Sequence, residues 1–187
     1  MAGFSRPARL EKTDVTAGFD SGATELDEWL VKFAWENQKA NNATTFVSQA
    51  DGRIAGYYAV TVASNAKAGA PNVLTKGSPN QIGCLLLARL AVDRSTQGSG
   101  LGTALLTDCL RRTAQLAGQV GVRALLVHCR DEAARSFYIA RADFHASPVD
   151  PMQLLLLVKW IVKQYSNSDA DGMRESAHAR AVLEASG

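Results

Sequence analysis

The segment from Leu85 to about Ala117 constrains this chain more than any other. An apolar stretch, Leu85 to Val92, passes through Asp93-Arg-Ser-Thr-Gln-Gly-Ser-Gly-Leu-Gly-Thr103 into a helical pattern in which Leu101, Leu105 and Cys109 form one row and Leu106 and Leu110 its neighbour. A glycine-rich turn that joins a buried strand to a helix start presents unpaired backbone N–H groups at the positive end of the helix dipole, a setting made for phosphate. Two common phosphate folds fail at named positions. A G-x-G-x-x-G dinucleotide turn needs a third glycine where Thr103 stands, and a Walker A loop needs a Gly-Lys pair, whereas no Lys occurs between Lys76 and Lys159.

The flanking pattern is α/β. It predicts a short strand at Arg9 to Lys12 and a helix from near Ser21 to about Gln38, with Leu26, Trp29, Leu30, Phe33 and Ala34 on its buried face. Thr44 to Ser48 and Arg53 to Val62 read as a hairpin around Asp51-Gly52. Ser64 to Asn80 reads as a loop with one helical turn, and Ala124 to Cys129 as a strand. Asp131 is placed to cap a helix over Glu132 to Ala140, Phe144 begins a further strand, and Gln153 to Val162 is expected to be the last. From Ser166 the composition turns linker-like, so we expect one domain over 1–165 and an extension over 166–187.

Composition excludes disorder or a fibre for the chain as a whole: 47% of the 187 residues are hydrophobic. Twenty basic residues against 18 acidic ones leave a net charge of +2, which does not announce a nucleic-acid binder but leaves room for a local basic face. Cys84, Cys109 and Cys129 lie in apolar runs without C-x-x-C pairs, and the histidines lack ligand spacing, so a reduced, cytoplasmic protein without a metal is expected. The longest apolar run, Leu154 to Val162, is broken by Lys159 and too short for a membrane. The first residues carry no signal-peptide core, so neither export nor a membrane partner is expected.

Gln97-Gly98-Ser99-Gly100-Leu101-Gly102 does match Q/R-x-x-G-x-G/A. Together with Arg89-Leu-Ala-Val-Asp-Arg94 upstream and Ala134-Arg-Ser-Phe-Tyr-Ile-Ala-Arg-Ala-Asp-Phe144 downstream, it resembles the GNAT N-acetyltransferase family, with Ala142 where that family usually carries Gly. The resemblance implies a central mixed, mostly antiparallel sheet of six to seven strands, splayed in the middle and flanked by about four helices. It also implies acetyl-CoA as co-substrate. The N–H groups of Gln97, Gly98, Ser99, Gly100, Leu101 and Gly102, with Thr103 at the helix start, would hold the pyrophosphate. The backbone at Leu90, Ala91 and Val92 would pair with pantetheine, and Tyr138 would be the acid that serves the departing thiolate. Phe137 is expected to face the core.

Acetyl transfer to an amine needs that amine neutral, an oxyanion stabilised and a proton for the thiolate. Asp93, Asp131 and Glu132 are better explained as caps or surface residues, and His128 and His145 as packed residues, so no base stands out. An α-amine, with a pKa near 7.7 to 8.0, needs a base less than a lysine amine near 10.4 does. A second resemblance points the same way. Gly18-Phe-Asp-Ser-Gly22, Leu26-Asp-Glu-Trp-Leu30, Gly52-Arg-Ile-Ala-Gly-Tyr-Tyr-Ala59 and Asp150-Pro-Met-Gln-Leu-Leu-Leu156 are similar to the TacT/AtaT-type toxins of toxin–antitoxin modules. It implies acetylation of the α-amine on charged tRNA, which blocks translation, and a ribbon-helix-helix antitoxin as partner; a homodimer is common in that family.

Arg89, Arg94, Arg135 and Arg141 are then the tRNA candidates around the cleft, with Arg6, Arg9, Lys12, Lys32 and Lys39 farther out and Arg111 and Arg112 read as solvent-facing. A near-neutral chain that binds tRNA must gather its cations around that cleft. Two other readings of the same residues stay open: a GNAT acting on protein N-termini or a small-molecule amine, and a catalytically degenerate CoA-binding module.

Overall fold

The computed structural model describes residues 3–165. The extension expected over 166–187, with His178, lies outside the described residues. Seven strands, β1 (Ala8–Arg9), β2 (Thr44–Ala50), β3 (Arg53–Ala66), β4 (Gln81–Val92), β5 (Ala124–His128), β6 (His145–Ala146) and β7 (Gln153–Leu157), form one sheet in the order β1-β2-β3-β4-β5-β7-β6. All neighbours are antiparallel except β4 and β5. The β2–β3 hairpin closes through Asp51 (φ 50) and Gly52 (φ 75), the double positive φ that matches the twist of a two-residue turn.

The period-two alternation of β5 and β7 supplies both faces of the core. Leu125, Val127, Leu154 and Leu156 meet α4 (Leu101–Ala117), α5 (Glu132–Ile139) and α6 (Val158–Tyr165) on one side. Ala124, Leu126 and Leu155 meet α3 (Asn72–Thr75) on the other. Each fully buried Leu contributes about 1.5–3 kcal/mol relative to an exposed one. The loop expected over 64–80 is shorter than predicted, because β3 continues to Ala66 and a 3-10 turn and α3 fill the connection.

Two expectations are corrected here. The last apolar run is not one strand to Val162: β7 stops at Leu157 and α6 follows, with Val158 and Ile161 buried and Lys159 exposed. Val158, Ile161, Val162 and Tyr165 have helical spacing, and a short apolar run does not by itself distinguish the two states. The first helix is α1 (Thr24–Glu28), a π-helical turn (Trp29–Phe33) and α2 (Ala34–Lys39). The π turn, closed by the Ala34 N–H on the Trp29 carbonyl, inserts one residue into the helical register. Trp29, Leu30, Ala34 and Gln38 are therefore buried, whereas Phe33, expected on the same face, is 50% exposed.

Candidate active site

Pairing between β4 and β5 runs from Cys84 with Ala124 to Leu87 with Val127 and then stops. At the same place Arg89 pairs with Ala59 while Leu87 pairs with Val60, so Ala88 is the extra residue of a β-bulge. A bulge bends its strand, and here it sits where the sheet parts. Beyond it, the Asp93 N–H returns to the Ala55 carbonyl of β3 at 2.8 Å. Strand alternation then turns the N–H and C=O groups of Leu90 and Val92 away from β3, toward the gap.

The gap opens into a cavity of about 250 Å³ lined by Leu87 to Leu90, Val127, His128, Arg130, Ala134, Tyr138, Glu25 and Leu26. Tyr138 is only 7% exposed, packed edge-on against Phe137 and Phe144, and its hydroxyl has no hydrogen-bond partner among the described residues. Burial pushes the Tyr138 pKa well above the ordinary tyrosine value, so the hydroxyl keeps its proton at neutral pH. Tyr57 donates to the Leu26 carbonyl at 2.8 Å and so fixes α1 over the cavity. Arg89 enters from the same side, and burial lowers its pKa.

The glycine turn forms the second part of the site. Gly98 (φ 76) and Gly100 (φ 88) take backbone conformations that favour glycine. The first helical bond of α4 is from the Ala104 N–H to the Gly100 carbonyl at 3.1 Å, so the N–H groups of Gly102 and Thr103 have no partner among the described residues. Val92, Gly98, Gly100, Gly102, Phe137 and Arg141 help line a groove of about 360 Å³ beside them. The Gln97 side chain ties the turn down, donating to the carbonyls of Ser21 at 2.9 Å and Val92 at 3.0 Å. Two residue sets thus form one continuous strand-to-helix path: outward-facing backbone at Leu90 and Val92, then unpartnered N–H groups at the start of α4.

Residues 12–144 match the model of the acetyltransferase (GNAT) family. The chain belongs to the GNAT acetyltransferase family. This GNAT is 43% identical over 159 residues to a tRNA-acetylating toxin of Mycobacterium tuberculosis, covering 85% of this chain and 95% of that protein. It is 30% identical to a probable toxin TacT of Sinorhizobium fredii, over 78% of this chain and 86% of the other. Among solved structures, it shares its fold with AtaT complexed with acetyl-methionyl-tRNAfMet, at a TM-score of 0.77 and 22% identity over 84% of this chain and 96% of that one. A tyrosine-to-phenylalanine mutant of AtaT, bound to the C-terminus of the antitoxin AtaR and acetyl-CoA, matches at a TM-score of 0.73 and 20% identity over 88% and 99%.

The splayed sheet expected of a GNAT is present, and Tyr138, Arg89 and Leu90 do line one cavity. The other arginines are dispersed. Arg94 is exposed and lies 3.3 Å from Asp20. Arg135 pairs with Glu132 at 3.6 Å and donates to the Pro151 carbonyl at 3.0 Å. Arg141 lines the glycine groove instead, donating to Thr103 Oγ1 and to the Phe137 carbonyl, each at 2.8 Å, with its guanidinium 3.8 Å from the Phe137 ring centre. Arg112 is not solvent-facing: it pairs with Asp108 at 2.8 Å, donates to the Pro7 carbonyl and covers the Phe46 ring. Among the described residues the arginines are therefore divided: Arg89 and Arg130 line the cleft and Arg141 the groove, while Arg94 and Arg135 are engaged elsewhere.

Phe137 packs against the core as expected but is only half-buried, its outer edge beside Gly102 and the groove, while Tyr138 is the more deeply buried of the two. His128 is exposed at the end of β5 and lines the cavity, contrary to the packed position expected of it, because β4 has already turned away there. His145 is half-buried, 3.5 Å from Asp143. Asp93 and Asp131 cap as expected, accepting from Ser95 and Ala134. Sequence reasoning missed Glu25 and Arg130, which face the cavity and pair with each other at 3.3 Å. No local pattern marks them, since one opens α1 and the other follows β5.

The N-terminal motif has a structural use in this GNAT. Ser21 donates through N–H and Oγ to Asp27 Oδ1 at 2.9 and 2.5 Å, while the Arg94 N–H returns to the Asp20 carbonyl at 2.8 Å. These bonds join the start of α1 to the segment that leads into the glycine turn. The three cysteines are buried and free, with burial pushing Cys84 up to about 11 and Cys109 up to about 12. Among the described residues no group of His, Cys, Asp and Glu is arranged to hold a metal, and no helix is long and apolar enough to cross a membrane.

Proposed function

We propose that this GNAT is a toxin that transfers the acetyl group of acetyl-CoA to the α-amine of the amino acid on charged tRNA and so blocks translation. The observation that carries the reading is the 43% identity to a tRNA-acetylating toxin over 95% of that protein's length. The open β4 edge and the glycine groove fit a substrate with an extended amide chain and a pyrophosphate. Leu90, Ala91 and Val92 would lie along the former, and Gln97, Gly98, Ser99, Gly100, Leu101, Gly102 and Thr103 around the latter. Arg141, held by two hydrogen bonds and a ring, adds a fixed cation to the phosphate end.

Tyr138 is the catalytic residue of this proposal. The amine nitrogen forms a bond to the acetyl carbon as the carbon–sulfur bond breaks; the amine loses a proton and the sulfur gains one. With a pKa raised above that of a thiol, Tyr138 keeps its proton and donates a hydrogen bond to sulfur as charge develops there, and the proton that the sulfur gains balances the one the amine releases. An α-amine is partly neutral at pH 7 to 8, so Glu25, already paired with Arg130, is not required as its base.

A ribbon-helix-helix antitoxin, a homodimer and a cytoplasmic location complete the proposal. AtaT, which shares the fold, is the toxin of a complex with the antitoxin AtaR. The deciding experiment incubates the protein with labelled acetyl-CoA and, separately, charged tRNA, deacylated tRNA and a peptide with a free N-terminus. Label on charged tRNA alone is expected; label on the peptide alone overturns the reading.

A further inference from the structure

A second cavity, of about 410 Å³, lies between the segment that follows β1 and the end of α2, away from the residues of the acetyl-transfer cleft. Its rim carries Arg9, Lys12 and Lys39 against one carboxylate, Glu11, with the Trp35 indole as a wall. All three cations are exposed, and neither they nor the indole N–H have a side-chain partner among the described residues. Lys32, Arg94, Arg130 and Arg135, by contrast, each have a carboxylate. The floor is rigid: buried Gln38 donates to the Leu10 carbonyl at 2.6 Å and accepts from the Thr45 N–H at 3.0 Å, which staples the end of α2 to the strand layer.

Unpaired cations around a partly exposed aromatic side chain, on a fixed floor, suit a polyanion that also offers flat bases. Leu26 lines the acetyl-transfer cavity and Trp35 lines this groove, nine residues later on one helix, so the two sites lie roughly 14 Å apart along its axis. We infer that the groove formed by Arg9, Lys12, Trp35 and Lys39 docks the sugar–phosphate backbone of the RNA substrate, with a base or ribose against Trp35. This inference rests on the proposed RNA substrate and says where the body of that RNA is held while its acylated end enters the cleft. It also explains how a chain of net charge +2 binds RNA: three cations without carboxylate partners here add to those that line the cleft.

The test compares the wild type with an Arg9→Gln/Lys12→Gln/Lys39→Gln variant and with a control in which Lys76, Lys159 and Lys163, all exposed and lining neither site, become Gln. Affinity for deacylated tRNA is read by fluorescence anisotropy over a salt series, and acetyl-CoA affinity by calorimetry. The groove variant should bind tRNA at least tenfold more weakly at low salt, with the slope of log K against log salt reduced by roughly two, and bind acetyl-CoA as the wild type does. Trp35→Leu should weaken RNA binding several-fold without changing that slope. Equal RNA affinity in wild type and groove variant, or an equal loss in the control, overturns the inference. So does polyglutamate binding as tightly as RNA, which would assign the groove to an acidic protein segment. Groove-dependent RNA binding without acetylation of charged tRNA would leave the groove standing and remove the proposed activity; acetylation unaffected by the groove variant would do the reverse.

Discussion

The guanidinium of Arg89 lies 4.4 Å from the centre of the Trp29 ring, and Trp29 is in turn stacked on Tyr57 with centroids 5.9 Å apart. A cation so placed enters the cleft in one orientation and gains about 0.5–2 kcal/mol from the ring. Arg89→Ala should raise KM for charged tRNA about tenfold while acetyl-CoA affinity stays constant. Trp29→Leu should raise KM in the same direction and also cost about 2–4 kcal/mol of stability, because its ring is buried. Steady-state kinetics with denaturant unfolding separates the two effects, and an unchanged KM in both variants would remove Arg89 from substrate binding.

Tyr138→Phe keeps the packing and removes the hydroxyl. The turnover number should fall about 10²-fold or more with acetyl-CoA affinity unchanged. Because burial raises the Tyr138 pKa, the wild-type rate should climb through pH 7 to 8 as the amine loses its proton and then stay level to about pH 10. A falling limb centred near pH 9 would contradict a raised tyrosine.

Gly100 and Gly102 should behave differently. A side chain at Gly100 meets no neighbour but must adopt φ 88, so Gly100→Val should cost at least about 1–2 kcal/mol in the turn and weaken acetyl-CoA binding sharply. At Gly102 the backbone is ordinary and an added methyl would lie 3.4 Å from Phe137, so Gly102→Ala should bind nearly as the wild type. Calorimetric titration of acetyl-CoA checks both.

Asp93 opposes partial burial with three hydrogen bonds, from the N–H groups of Asp20 and Ser95 and the Ser95 hydroxyl, and the bonds win: its pKa is lowered. A folded-state pKa below the unfolded value means the stabilisation is present above about pH 4 and is lost as pH falls through the lowered value. Asp93→Asn should cost about 1 kcal/mol at neutral pH, and the difference from wild type should shrink in acid. Urea unfolding at pH 7 and pH 3 measures it; a gap that widens in acid would reverse the sign.

The glycine turn and the Asp131 cap were legible because their determinants are local: a positive φ, a free N–H, an oxygen three residues from its donor. His128 was not, because its exposure depends on β4 leaving β5 one residue earlier. The position of Arg94 was equally hidden, since its partner Asp20 is brought near only by the folded chain, whereas Glu132 beside Arg135 is local and only the Pro151 carbonyl is not. The run from Leu154 to Val162 held both a strand and a helix, and only the packing of Ile161 among the residues of α4 decides between them.

The π turn at Trp29–Phe33 can be viewed as an ordinary helix that has accepted one additional amino acid. Relatives with an unbroken α-helix should align with this chain through a one-residue gap in that interval. Deleting a single residue there would rotate the Trp35 end by about 100° relative to the Leu26 end. The two halves of the helix would keep their sequences and lose their common orientation.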